Sequence, residues 1–255
     1  ERVSTGLRDG DKIRVPQSTE NLENAVTLKG AVVRPGVYGW VVGQRISDIL
    51  SSIPSDLKPY ADLGYGLVVR QKNAELDIEV LQISLAEALN NEGSQDNILT
   101  QARDKIIVFS QASVTGLLTL DTADAEINLS QRDVLLRPVI AKLRSQARSG
   151  EPVQTVSVSG AVKSPGDYPL GQKDNVANLR AAGGGVTDSV YLDSAELRRV
   201  YLAQNSEMLS QYITLDLRVE LAPSSGTELQ SRDHLYAFIY APAIGVSRVS
   251  RRWVR

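Results

Sequence analysis

The feature that most constrains this chain is a thirteen-residue pattern written twice, in register, 130 residues apart: VTLKGAVVRPGVY at 26–38 and VSVSGAVKSPGDY at 156–168. In the first stretch Val26, Leu28, Gly30 and Val32 alternate with Thr27, Lys29 and Ala31. In the second, Val156, Val158, Gly160 and Val162 alternate with Ser157, Ser159 and Ala161. Period-two alternation puts one set on a buried face and the other on a wetter face, so both stretches read as strands. Each then meets x-Pro-Gly-x, with Pro35-Gly36 in the first copy and Pro165-Gly166 in the second. Proline presets φ for the second position of a turn, and glycine supplies the positive φ that type II needs at the third. The expectation is a type II turn at each site, with a returning strand that starts at Tyr38 or Tyr168.

The repeat extends past the hairpin. At the same offset Ile46 falls on Val176 and Ile49 on Leu179, which predicts a short amphipathic helix in each copy. In copy two that helix runs into Ala181-Ala182-Gly183-Gly184-Gly185. Tyr60 and Asp62 match Tyr191 and Asp193 at an offset of 131, and Gln82-Ile83-Ser84-Leu85 matches Tyr212-Ile213-Thr214-Leu215 at 130. Near each end Arg103-Asp104 lies over Arg232-Asp233, just before a last strand. A period this long marks a duplicated domain and not a solenoid. One helix on a small mixed sheet makes each copy an α+β unit of about ninety residues.

Between the copies, QRDVLLRPVIAKLRSQARSG holds a third Arg-Asp at 132–133, but its pattern is helical. Leu136, Val139, Ile140, Leu143 and Ala147 recur at helical spacing. Ser130 with Asp133 suits the helix start and Gly150 its stop, while Pro138 kinks the helix or marks its first turn. The connection reads as a helical spacer that fixes how the two domains sit. The N-terminal GLRDGDKIRVP reads as an extra or closing strand.

With 255 residues the chain has room for two domains, each with a core. Its 28 basic and 30 acidic residues give no electrostatic reason to expect nucleic acid. The basic finish SRVSRRWVR is the local exception and reads as a solvated flank or a linker. The absence of cysteine excludes thiol catalysis, disulfides and zinc-thiolate sites. No window approaches 18 apolar residues, the length that a membrane-spanning helix needs. The chain opens at Glu1 with no signal peptide and has one methionine, Met208, so it reads as a piece of a longer protein.

The pattern V-x-V-x-G-A-V-x-x-P-G-x-Y, followed by a helix, A-G-G and an aliphatic strand, resembles the SLBB domain, the soluble-ligand-binding β-grasp. Tandem copies joined through RSQARSGEPVQTVSVSGAVKSPGDYPL are similar to the periplasmic part of the Wza-like outer-membrane polysaccharide export family. Copy two is the closer match, because copy one has Ile53-Pro54-Ser55 where glycines are usual, so its loop after the helix is expected to differ. The resemblance implies two tandem β-grasp domains, at 22–113 and 152–242, joined by a helical linker at 114–151. Residues 1–21 form an N-terminal strand segment and 243–255 a basic C-terminal segment. It further implies a non-catalytic periplasmic segment of a capsular or exopolysaccharide exporter, associated with the outer membrane through other parts of the parent protein. The implied partners are the polysaccharide, copies of the parent in a ring and an inner-membrane polysaccharide co-polymerase. The competing reading is a glycan- or small-ligand-binding module that forms no channel, and an enzyme is the third.

No cofactor, metal or catalytic set is expected. The glycines at 183–185 follow a helix where a phosphate cradle would precede one, so they read as a helix stop. His234, the one histidine, occupies the position of Lys105 in copy one and reads as an ordinary strand residue. Asp121, Asp124 and Glu126 lack calcium-loop spacing and read as solvated linker. The structural motif residues are Gly30, Pro35, Gly36, Tyr38, Gly160, Pro165, Gly166, Tyr168, Gly183 and Gly184, with both tyrosines packing over their hairpins. Trp40, whose partner is Leu170, reads first as core packing, then as an interface anchor or a sugar contact. Tyr60, Tyr65 and Trp253 carry the same three readings.

Overall fold

The computed structural model describes residues 23–73, 75–111, 131–148, 152–202, 208–220 and 226–240. The first sheet is built from β1 (Ala25–Gly30), β2 (Gly36–Gly39), β3 (Ala61–Gln71), β4 (Ile78–Ile83) and β5 (Lys105–Ser110). The second is built from β6 (Thr155–Gly160), β7 (Gly166–Pro169), β8 (Val190–Leu202), β9 (Met208–Leu215) and β10 (His234–Ile239). Their strand orders are β2-β1-β5-β3-β4 and β7-β6-β10-β8-β9, the same order twice. In each, the first and last strands run parallel at the centre and every other pairing is antiparallel. The protein is α+β with two mixed five-stranded sheets.

The helices differ between copies. Copy one has single turns α1 (Ile46–Ile49) and α2 (Ile53–Asp56), then α3 (Leu85–Asn90). Copy two has one continuous α5 (Val176–Ala182) and a turn α6 (Leu217–Glu220). The difference falls at Ile53-Pro54-Ser55, where proline starts a fresh turn in place of glycines. α5 instead ends on a Schellman motif: the Gly184 N–H donates to the Ala181 carbonyl and the Gly185 N–H to the Arg180 carbonyl. Gly184 and Gly185 carry the positive φ, at 71° and 91°, and Gly183 does not. Between the sheets lies α4 (Gln131–Gln146), with Pro138 inside it and Leu136, Val139, Ile140 and Leu143 buried. Ala147 lies just past its end and is half-buried. Ser130 and Gly150, residues 1–21, the acidic stretch 121–126 and the segment 243–255 lie outside the described residues.

The hairpins require three corrections. The returning strands start at Gly36 and Gly166, so Tyr38 and Tyr168 lie inside them. Gly36 is not in positive φ, and Gly166, at 159°, borders on extended backbone. The expected type II turns are therefore absent at these sites. The glycines that the backbone needs are Gly30 (φ 96°) and Gly160 (φ 86°). A Cβ on Gly30 would stand 1.9 Å from the Val108 carbonyl oxygen, and one on Gly160 2.0 Å from that of Ala237. The chain turns there so that the next amide, of Ala31 or Ala161, donates to that same carbonyl at 2.8 Å. Each tyrosine then ties its hairpin, with the Tyr38 hydroxyl donating to the Arg34 carbonyl at 2.5 Å and that of Tyr168 to Ser164 at 2.7 Å.

The later offsets also shift. Gln111 N–H donates to the Tyr60 carbonyl, and Tyr240 N–H to that of Ser189, so Tyr60 corresponds to Ser189 and not to Tyr191. Gly66 pairs with Ile83 and Ala195 with Leu215, so Ile83 corresponds to Leu215 and Leu85 to Leu217. The β3–β4 and β8–β9 hairpins differ in length, and a fixed offset cannot carry across them.

Candidate functional site

The two copies meet at a seam that α4 fills. One cluster of buried side chains runs from copy one (Tyr65, Leu67, Val69, Ile107, Phe109) through α4 to the copy-two core of Val156, Val158, Leu179 and Leu197. A second cluster, with Val26, Leu28, Ile46, Leu50 and Val108, lies on the other face of the first sheet. The middle of sheet one is thus buried on both faces, along Tyr65–Val69 of β3 and Ile106–Phe109 of β5.

Arg132, at the start of α4, ties the seam. Its guanidinium donates to Asp62 Oδ2 of copy one at 2.6 Å and to the Ala182 carbonyl at the end of α5 in copy two. It lies over the rings of Tyr65 and Phe109, 5.4 and 5.1 Å from their centroids. A planar, weakly hydrated cation suits this stacked and buried position, and an ammonium does not. Arg132-Asp133 therefore sits in a helix, as its spacing suggests, and its arginine is an inter-copy clamp that sequence alone did not disclose. Tyr65 stacks on Phe109 at 5.2 Å and meets Tyr168 edge-on at 6.3 Å. Burial pushes both tyrosine hydroxyls above their ordinary pKa, most strongly at Tyr65.

Further along, the Gln82 side chain of β4 donates to Asp174 Oδ2 at 2.5 Å and to the Pro169 carbonyl at 3.4 Å. Gly171 N–H donates to the same Asp174 oxygen at 2.6 Å. Asp174 is buried, and that burial pushes its carboxyl up to about 6, against the lowering effect of the two hydrogen bonds. At the other end Gln146 of α4 faces the edge of β4. Its Nε2 donates to the Ile78 carbonyl at 2.7 Å and its Oε1 accepts from Ile78 N–H at 2.9 Å, the two bonds a neighbouring strand would make.

Beside Gln146 a cleft of about 570 Å³ opens between the copies. Its size is that of a small-ligand site, and domain seams are where such sites concentrate. Carboxamides of Asn73, Gln146, Gln154 and Gln172 line it together with Lys72 and Arg148. The amides offer donors and acceptors side by side, which suits a hydroxyl-rich or amide-bearing ligand. Among the described residues no group of three or more histidine, aspartate or glutamate side chains could hold a metal ion. Among them, too, no helix is long and apolar enough to cross a membrane.

The other sequence-selected residues disperse. Trp40 is half-buried in the copy-one core, with its indole N–H donating to the Thr100 carbonyl at 3.0 Å. Tyr60 packs on that core under the Lys58 ammonium, 5.7 Å from the ring centroid. Tyr65 is in the seam and Trp253 lies outside the described residues. Pro35 and Pro165 are exposed just before the returning strands. His234 lies on the outer face of sheet two, its ring nitrogens 2.8 and 2.7 Å from the Ser157 and Ser159 hydroxyls. Burial, then the nearby Arg198 charge, lowers its pKa, and Asp167 opposes them.

One pair recurs that the motif reading missed. Arg70 reaches Asp104 at 2.8 Å and Arg199 reaches Asp233 at 2.7 Å, with both carboxylates fully buried. Arg103 and Arg232, named beside those aspartates in the sequence, instead hold positive φ, at 71° and 69°. The available signal was a second arginine 34 residues upstream of each aspartate.

Residues 155–210, within copy two, match the SLBB domain family. No curated protein matches the chain.

Proposed function

We propose that the chain is a non-catalytic periplasmic segment of a capsular or exopolysaccharide export protein. In this reading 22–113 and 152–242 are two SLBB-type β-grasp domains, and 114–151 is a linker whose helix sets their relation. The observation that carries it is the SLBB match at 155–210 together with a first copy of the same strand order and the same buried arginine–aspartate pair. The parent protein would form a homo-oligomeric ring at the outer membrane, next to an inner-membrane co-polymerase, and the polymer would be its cargo. Fold alone does not fix such a role, so the test must be functional. Deleting the parent gene is expected to abolish surface polysaccharide, and the detergent-extracted parent is expected to scatter light as a closed ring. Unchanged surface polysaccharide together with a monomeric parent would overturn the reading.

The cleft at the seam supports a second reading, a glycan-binding module without a channel. Tight calorimetric binding of a defined oligosaccharide by this chain, with the parent monomeric, would select it.

A further inference from the structure

We propose that Asp174 and Gln82 form a proton-operated latch between the two copies, closed when the carboxyl is protonated and loosened when it ionises. The geometry is that of an ionisable group committed to a seam without a counter-ion. Asp174 is 6% exposed and makes no ion pair among the described residues. Its partners, the Gly171 N–H and the Gln82 carboxamide, are neutral. Among the described residues its charge acts on Tyr65 of β3, itself buried and neutral. Among the described residues, what acts on the Asp174 carboxyl is its burial and the two neutral hydrogen-bond donors, with no charged side chain. A carboxylate so placed is better hydrated if the seam parts.

The duplication supplies the control. Asp174 carbonyl accepts from Leu229 N–H as Gln44 carbonyl accepts from Thr100 N–H, so Gln44 is its counterpart in copy one. Gln44 caps the Val41 N–H with a side chain that cannot ionise. The capping task therefore does not require an acid, and in copy two the acid stands in a loop that meets the other sheet through Gln82. Gln82 is the contact: it joins β4 to both Asp174 and the Pro169 carbonyl.

The direction follows from linkage. The closed-state carboxyl titrates at about 6 and the open, hydrated one at its ordinary 3.8. The closed state therefore has its full advantage below 3.8 and loses it as pH rises through 6. Between pH 5 and 7.5 this difference raises the open-to-closed ratio by about tenfold.

The chain has no cysteine, so one can be placed as a probe. Ala181 lines a small pocket on the seam beside Gln82, and Ala181→Cys reports opening through its thiol-labelling rate. Dividing that rate by the rate of the same cysteine in an Asp174→Asn background removes the pH dependence of the thiol itself. The ratio is expected to rise about tenfold from pH 5 to 7.5. Carbon-13 NMR of the full chain, which needs no variant, is expected to place the Asp174 carboxyl midpoint near 6. A ratio flat with pH, or a carboxyl titrating in the ordinary range near 4, would overturn the latch.

Discussion

The two sheets share strand order and hydrogen-bond register, yet one pair of corresponding faces has opposite chemistry. In copy one Leu67, Val69, Ile107 and Phe109 face α4 and are buried. The corresponding residues of copy two are Glu196, Arg198, Tyr236 and Phe238, on a face open to solvent or half-covered. Next to them on the edge strand, Tyr212 is 61% exposed where Val80 of copy one is buried. One backbone therefore serves as the middle layer of a stack and as an outer layer, and side-chain polarity alone decides which. A strand buried on both sides reads as a continuous apolar run, as Tyr65–Val69 does, while Ser194–Arg198 alternates. What the copies keep in common is the frame: the glycine at the parallel pair, the buried arginine–aspartate pair and the tyrosine tie.

The frame should break alike in both copies. Gly30→Val and Gly160→Val each drive a Cβ into a backbone carbonyl and impose positive φ on a β-branched residue. Each is expected to cost more than about 4 kcal/mol in urea denaturation, or to prevent folding. A tolerated variant in one copy only would mean that the shared frame is not shared. The next largest effect belongs to Asp104→Ala and Asp233→Ala, which leave an arginine without its buried partner. About 3–5 kcal/mol is expected for each, and a loss below about 1 kcal/mol would place the pair outside the frame.

These corresponding faces should separate the copies. Leu67→Ala opens a cavity against α4 and is expected to cost about 2–5 kcal/mol. Its counterpart Glu196→Ala is expected to stay within about 0.5 kcal/mol. Equal losses at the two positions would remove the contrast between inner and outer sheets. The smallest effect is expected at Gly36→Ala, where a Cβ meets nothing within 4 Å and φ is not positive. A change of melting temperature beyond a few degrees there would restore the type II turn.

Much of this was legible in the residues. The duplication, the strands at 26–30 and 156–160 and the buried stripe of α4 follow from period and spacing, because burial imposes period two or 3.6 on any such segment. The SLBB resemblance rested on the same repeat. The turn assignment failed for a physical reason: Pro-Gly is a strong local signal, but the demand for glycine came from a carbonyl on a strand 78 residues away at Val108. The same holds for the seam. Arg132 and Gln82, and Asp174 in its contact across the seam, acquire their meaning through partners 50 to 92 residues distant that no local pattern announces. The cleft is likewise made by three elements that are separate in the chain.

The claim beneath the rest is that α4 welds the two copies into one core. Differential scanning calorimetry of the full chain tests it most directly. A single transition is expected, with calorimetric and van't Hoff enthalpies equal, and Arg132→Ala is expected to lower its midpoint without splitting it. Two transitions in the unaltered chain, each assignable to one copy, would contradict it.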